Sequence, residues 1–265
     1  MPINEQVIGF RRSRASDLEQ FARVLNRLGI CNPYPIYEAA KQLINLDFVP
    51  KMPDSSINYD YWGYTISELT FPFEKTPRHT YPDHVINMGL KLSLKLICDF
   101  NDFEKIKDPF KYLEFNIYLS GTQIIQGGTQ KEVVSSLHLD RHLTSEEDTE
   151  PDEIHPIYHF QFGGRKLDKK YMDFGNSLIL DSPRIVHYPM DVILGVDFVL
   201  ANFFPNQWRE LRKDGEYINL VRIYQRYFWK SYVHTKASHW RPFEQSAVEW
   251  DPMLIWPNLI INVAN

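Results

Sequence analysis

Residues 86–98 read INMGLKLSLKLIC and residues 113–120 read LEFNIYLS. In the first stretch Ile86, Met88, Leu90, Leu92, Leu94, Leu96 and Cys98 alternate with Asn87, Lys91, Ser93 and Lys95. In the second, Leu113, Phe115, Ile117 and Leu119 alternate with Glu114, Asn116, Tyr118 and Ser120. Successive side chains of a strand point to opposite faces, so alternation this long predicts two strands with one buried and one wet face. The polar DFNDFEKIKDPF between them (99–110) reads as the turn that reverses the chain.

The pattern runs on downstream. In VVSSLHLDRH (133–142), Leu137 and Leu139 share one face while His138, Asp140 and His142 share the other. In EIHPIYHFQFGG (153–164), Tyr158, Phe160 and Phe162 alternate with His155, His159 and Gln161. The acidic LTSEEDTEPDE (143–153) between them is a solvated connection. Paired as successive antiparallel strands, these segments place their polar side chains on one face of one sheet.

Outside this sheet the periodicity turns helical. DLEQFARVLNRLG (17–29) spaces Leu18, Phe21, Ala22, Leu25 and Leu28 along one face; Ser16 and Glu19 form a capping-box pattern before it, and Gly29 stops it. IYEAAKQLINLDF (36–48), after NPYP, predicts a second helix and so an αα-hairpin, with a DNA-reading helix-turn-helix as a lesser alternative. Residues 50–84 are dense in Pro, Tyr and Ser and read as loop, with one short strand at YDYWGYTI (59–66). NSLILDSPRIVHYP (176–189) reads as a further strand and a turn. MDVILGVDFVLANFF (190–204) fits both periods, but Pro189 just before Asp191 resembles a helix start. Residues 215–235 predict a long amphipathic helix, and the apolar tail EWDPMLIWPNLIINVAN (249–265) must dock on this chain or on another copy.

The expected class is therefore α+β: an N-terminal helical pair, a central, mostly antiparallel sheet of at least four strands, and C-terminal helices packed on it. Three segments follow, and they can form one domain: 1–50 helical, 51–204 carrying the sheet and its His/Asp cluster, and 205–265 helical with the apolar tail.

Bulk properties bound the function. The chain has 265 residues, 43% of them hydrophobic and 24% charged, as in a soluble globular protein. A net charge of −5 gives no whole-chain signature of nucleic-acid binding. Two cysteines, Cys31 and Cys98, exclude a disulfide scaffold and a zinc ribbon and suit a reducing compartment. The N-terminal residues lack the apolar core of a signal peptide, and Asp197 interrupts the longest apolar run, so a soluble cytoplasmic protein is expected.

The chemistry concentrates in one place. Five of the nine histidines, His138, His142, His155, His159 and His187, fall between 138 and 187. Imidazole and carboxylate groups spaced by two or four on neighbouring strands can converge on one ion, leaving positions open for water or substrate. The expected metal ligands are His138, Asp140, His142 and His159, around Zn, Mn, Ni or Fe; His155 and His187 complete the catalytic set. Arg184 is expected to bind a phosphate or carboxylate, or else to pair with Asp181. A hydrated polar sheet face is the plain alternative to a site.

Residues 208–241 interleave basic side chains, Arg222 and Arg226 among them, with aromatic ones, Trp208 to Trp240. Such a surface favours nucleic acid or nucleotides by phosphate attraction and base stacking, unless the aromatics are a buried helix face. No Walker A, dinucleotide fingerprint, GxSxG or HExxH occurs.

His138-x-Asp140 followed by GNSLILDSPRIVH (175–187) resembles the iron-binding pattern of the 2-oxoglutarate-dependent oxygenases. The resemblance covers roughly residues 135–204 and implies His138, Asp140 and His187 as iron ligands. It departs at VILGVDFV (192–199), which has no Arg or Lys where that family carries a basic residue for its cosubstrate.

The leading expectation is a metal-dependent hydrolase of a phosphate-containing substrate, nucleic acid or nucleotide. A non-catalytic interaction subunit, self-associating through 250–265, and an oxygenase stand as alternatives.

Overall fold

The computed structural model describes residues 4–77, 80–104, 108–141, 156–163 and 185–238. The order is α1 (Glu5–Arg27), α2 (Tyr34–Ile44), β1 (Tyr61–Pro72), β2 (Val85–Asp99), α3 (Phe100–Glu104), β3 (Phe110–Ile124), β4 (Gln130–Arg141), β5 (Tyr158–Phe162), β6 (Ile185–Val186), α4 (Val192–Phe203), α5 (Pro205–Leu211) and α6 (Gly215–Ser238). The six strands form one antiparallel meander in the order β1-β2-β3-β4-β5-β6. The expected α+β class holds, with the helices before and after the sheet.

The alternation read from sequence is the sheet's two-sidedness. Leu90, Leu92, Leu94, Leu96, Leu113, Phe115, Ile117, Leu137, Leu139 and Phe160 lie in one continuous core with the helices. Burying a side chain of this size stabilises by about 1.5–3 kcal/mol. Helices α1, α2, α4 and α6 cover this face: Phe10 meets Trp62, Phe228 meets Phe110, and Gly195 of α4 lies against the Phe115 ring.

Buried arginines join the helical layer. Arg11 donates to the carbonyls of Gln42, Leu43, Asn45 and Phe48, satisfying acceptors at the C-terminal end of α2. Arg14 lies 4.4–5.5 Å from the rings of Phe10, Tyr224 and Tyr227 and pairs with Asp17 at 3.1 Å, which ties α1 to α6.

Three local expectations are corrected. Helix α1 starts at Glu5, where Asn4 accepts from the Gln6 N–H, and not at Ser16. The capping-box pattern is overridden because Val7, Arg11, Arg14 and Ala15 already lie on the buried helix face. Gly29, with φ +64, ends the helix as expected, and Ile30 N–H bonds back to the Leu25 carbonyl.

Residues 61–72, where the sequence predicts a short strand only at 59–66, form the longer edge strand β1. Its alternation is hidden by a register shift between Ile66 and Leu69. The Gln42 side chain accepts from the Thr65 N–H (2.9 Å) and donates to the Thr65 carbonyl (3.3 Å), occupying an edge site another strand could use. In β2 a second shift, between Ile86 and Gly89, leaves Ile86 44% exposed and off the buried row. The connection at 99–110 also carries the short helix α3.

The ambiguous run after Pro189 is helical. Asp191 caps it, accepting from Leu194 N–H at 3.0 Å, and α4 is apolar nearly all round because the sheet and α6 enclose it. No helix among the described residues is long and apolar enough to cross a membrane.

Candidate metal centre

Strand register builds the site from residues far apart in sequence. In the β3–β4 ladder Glu114 lies opposite Asp140 and Asn116 opposite His138. In the β4–β5 ladder Asp140 lies opposite His159 and His138 opposite Gln161. Two neighbouring rungs of polar side chains result, Glu114–Asp140–His159 and Asn116–His138–Gln161, on the face turned away from the helices.

Within them, His138, Asp140 and His159 each offer a ligand atom, and the three atoms lie within 4.8 Å of one another. His138 Nε2 is 3.6 Å from Asp140 Oδ2, and the two imidazole rings meet edge to face, 6.2 Å apart. Bonds of about 2.0–2.2 Å to zinc set tetrahedral ligand atoms roughly 3.4 Å apart, so small side-chain rotations close the group on an ion. His159 Nδ1 lies 3.4 Å from the Pro156 carbonyl. An N–H on that nitrogen leaves the Nε2 lone pair for a metal. His159 is buried, while the Asp140 side chain is 37% exposed, so the group opens to solvent on the Asp140 side.

The surroundings are ordered. Tyr112 Oη and Asn116 Nδ2 each donate to Glu114 at 3.0 Å, one to each carboxylate oxygen. Burial, then the Glu114 and Asp140 charges, push the Tyr112 hydroxyl above the ordinary tyrosine range, so it stays a donor. Lys95 lies opposite Glu114 on the β2 side, with its ammonium 4.9 Å from the Tyr112 ring centre. Glu114, Tyr112 and Lys95 were not singled out as site residues. Their outward face was legible, but the rung they occupy depends on register.

The other expected site residues fare differently. His142, His155 and Arg184 lie outside the described residues, as do residues 250–265. His187 is on the opposite face of the sheet, packed against Phe160 and Phe198, with Nδ1 2.8 Å from the Tyr188 carbonyl oxygen. Burial lowers its pKa, which favours a neutral, half-buried imidazole. The separation has a simple cause: the Val186 position opposes His159, so the next residue points the other way.

Arg222 and Arg226 are exposed on α6, which packs on the helical side of the sheet and not beside the histidines. The aromatics of that segment are largely core: Tyr217, Tyr224, Phe228 and Trp229 are buried. The buried-face alternative therefore describes these four side chains. A cavity of about 520 Å³ lies between α4 and the core face, lined by Leu119, Leu137, Phe160, Phe198 and Phe203 among others; none of the three clustered residues lines it.

Comparison with models of known families, with curated proteins and with solved structures finds no match for this chain. What the fold and site define is a class: an α+β protein with a two-histidine, one-carboxylate group on the face of its sheet turned away from the helices.

Proposed function

We propose that this protein is a metal-dependent hydrolase acting on a phosphate-containing substrate, a nucleotide or nucleic acid, with the ion held by His138, Asp140 and His159. The observation that carries the reading is the mutual approach of their three ligand atoms within 4.8 Å. Three protein ligands leave a divalent ion with open positions, and such an ion supplies a water acidified toward neutral pH. Glu114, held by Tyr112 and Asn116, orders the carboxylate side of the group. Lys95 puts a cation on the same face for an anionic substrate. Two unpaired cysteines, one buried and one half-buried, suit the reducing cytoplasm, where we place the protein.

Two histidines with one carboxylate also suit Fe(II), which keeps an oxygenase as the second reading, with His159 rather than His187 as the third ligand. Elemental mass spectrometry on untagged protein purified without chelator tests both readings, alongside His138→Ala. Near-stoichiometric zinc, manganese or nickel that disappears in the variant is the expected result, followed by phosphodiesterase screening. Iron selects the oxygenase. No metal after divalent ions are added back removes both, and a non-catalytic interaction subunit takes their place.

A further inference from the structure

The strand that carries His138 and Asp140 presents Ser136 to the same face, two residues earlier, with Val134 and Glu132 beyond it. Ser136 is 1% exposed, and its hydroxyl has no hydrogen-bond partner among the described residues. A hydroxyl buried without a partner loses its hydrogen bonds to water and gains none in return, a cost that an alanine would avoid. Natural interiors leave few such groups, and those that remain call for a reason.

Register shows what flanks the hydroxyl. On the β3 side Ser136 is opposite Tyr118. On the β5 side its own carbonyl accepts from the Gly163 N–H at 2.8 Å, so the neighbouring position carries no side chain. The next rung holds His138 between Asn116 and Gln161. Ser136 is thus the innermost polar group of a row, Ser136–His138–Asp140, whose other two members supply candidate metal ligands. Residues two apart on a strand are separated by about 6.7 Å. A phosphate held by an ion at His138 and Asp140 would therefore have Ser136 as the next polar side chain along the strand.

We propose that Ser136 positions the substrate's phosphate group: its hydroxyl donates a hydrogen bond to one phosphate oxygen while another occupies an open position of the ion at His138, Asp140 and His159. The inference rests on the metal reading above and adds to it a residue and a direction, with the anion lying along β4 toward Ser136. No bond is made or broken by Ser136 in this role.

The test uses the full chain, first titrated with zinc and then, with zinc stoichiometric, with inorganic phosphate, for the native protein and Ser136→Ala. Zinc affinity should be equal in the two proteins, and phosphate affinity should fall about 10-fold or more in the variant. Metal-free Ser136→Ala should melt at the same temperature as the native protein or higher, because no internal hydrogen bond is lost. A clear drop in melting temperature, or unchanged phosphate affinity, overturns the assignment while leaving the metal site standing. Acetate bound more tightly than phosphate, with the same loss in the variant, overturns the phosphate class. Absence of zinc binding in the native protein overturns the metal reading, and this inference with it.

Discussion

Asp140 and His159 face each other across the β4–β5 ladder, and the same rung continues through Glu114 to Lys95 on β2. Ladder pairing fixes a carboxylate beside an imidazole without any loop having to place them, and groups built on strands hold their geometry better than groups on loops. Asp140→Ala should therefore lower zinc affinity by more than the roughly 10–100-fold typical of losing an outer-shell partner. Lys95→Ala, two strands away, should leave it unchanged. Calorimetric titration of both variants checks this, and an affinity that rises in Lys95→Ala by as much as it falls in Asp140→Ala would mean that the rung binds metal only through its general charge.

At Gly195 the α4 backbone lies directly against Phe115 of the sheet. A Cβ built there would stand 2.3 Å from Phe115 Cε2, a ring clamped in the core. Gly195→Ala should destabilise by about 1–3 kcal/mol, although alanine is the better helix former by about 1 kcal/mol. Urea unfolding measures the difference. A stabilised variant would show that the ring yields freely.

Asp197 looks in sequence like a break in an apolar run, yet it is a buried joint between three helices. Its Oδ1 accepts from Tyr217 Oη at 2.7 Å and from Trp208 Nε1 at 2.9 Å, and Arg212 stands 3.5 Å from Oδ2. Tyr217→Phe removes one donor from a buried carboxylate and should cost roughly 1.5–3 kcal/mol. Thermal melting reads this out, and a change near zero would mean that the other two partners suffice.

Asp191 carries a pH dependence. Burial, opposed by hydrogen bonds from Leu194 N–H and Tyr64 Oη, raises its pKa to about 7. The charged and titratable groups around it include Arg14 on α1, Tyr64 on β1, Cys98 on β2 and Tyr224 on α6. An unfolded aspartate titrates near 3.9, so the folded state binds the extra proton between the two values. The Asp191 contribution is thus most favourable at or below about pH 4, is lost as pH rises to about 7, and is flat beyond, a swing on the order of a few kcal/mol. Asparagine caps helices as well as aspartate does, so Asp191→Asn should gain on the native protein as pH rises from 5 to 8. Denaturant midpoints of both proteins at the two pH values check the sign, and a difference that does not move with pH would place the titration elsewhere.

Much of this protein is decided by short-range pattern. Leu90 to Cys98 and Leu113 to Leu119 repeat every second residue, and strand geometry turns that repeat directly into one buried face. Gly29 ends α1 and Asp191 starts α4 by backbone chemistry confined to a few residues. That His138 and Asp140 share a face needed nothing more than their spacing.

Where the pattern is interrupted, tertiary structure took over. The irregularities at Ile66–Leu69 and Ile86–Gly89 shift side chains between faces, and a bulge leaves no fixed mark in composition. The start of α1 was settled by which residues the other helices bury, and a capping-box pattern is too weak to compete with that. Register, a long-range property of two strands meeting, placed His159 against Asp140 and turned His187 toward Phe160. Sequence alone therefore determined that a polar sheet face rich in histidine would exist. Only the folded chain determined which histidines meet on it, because a one-residue step along a strand exchanges one face for the other.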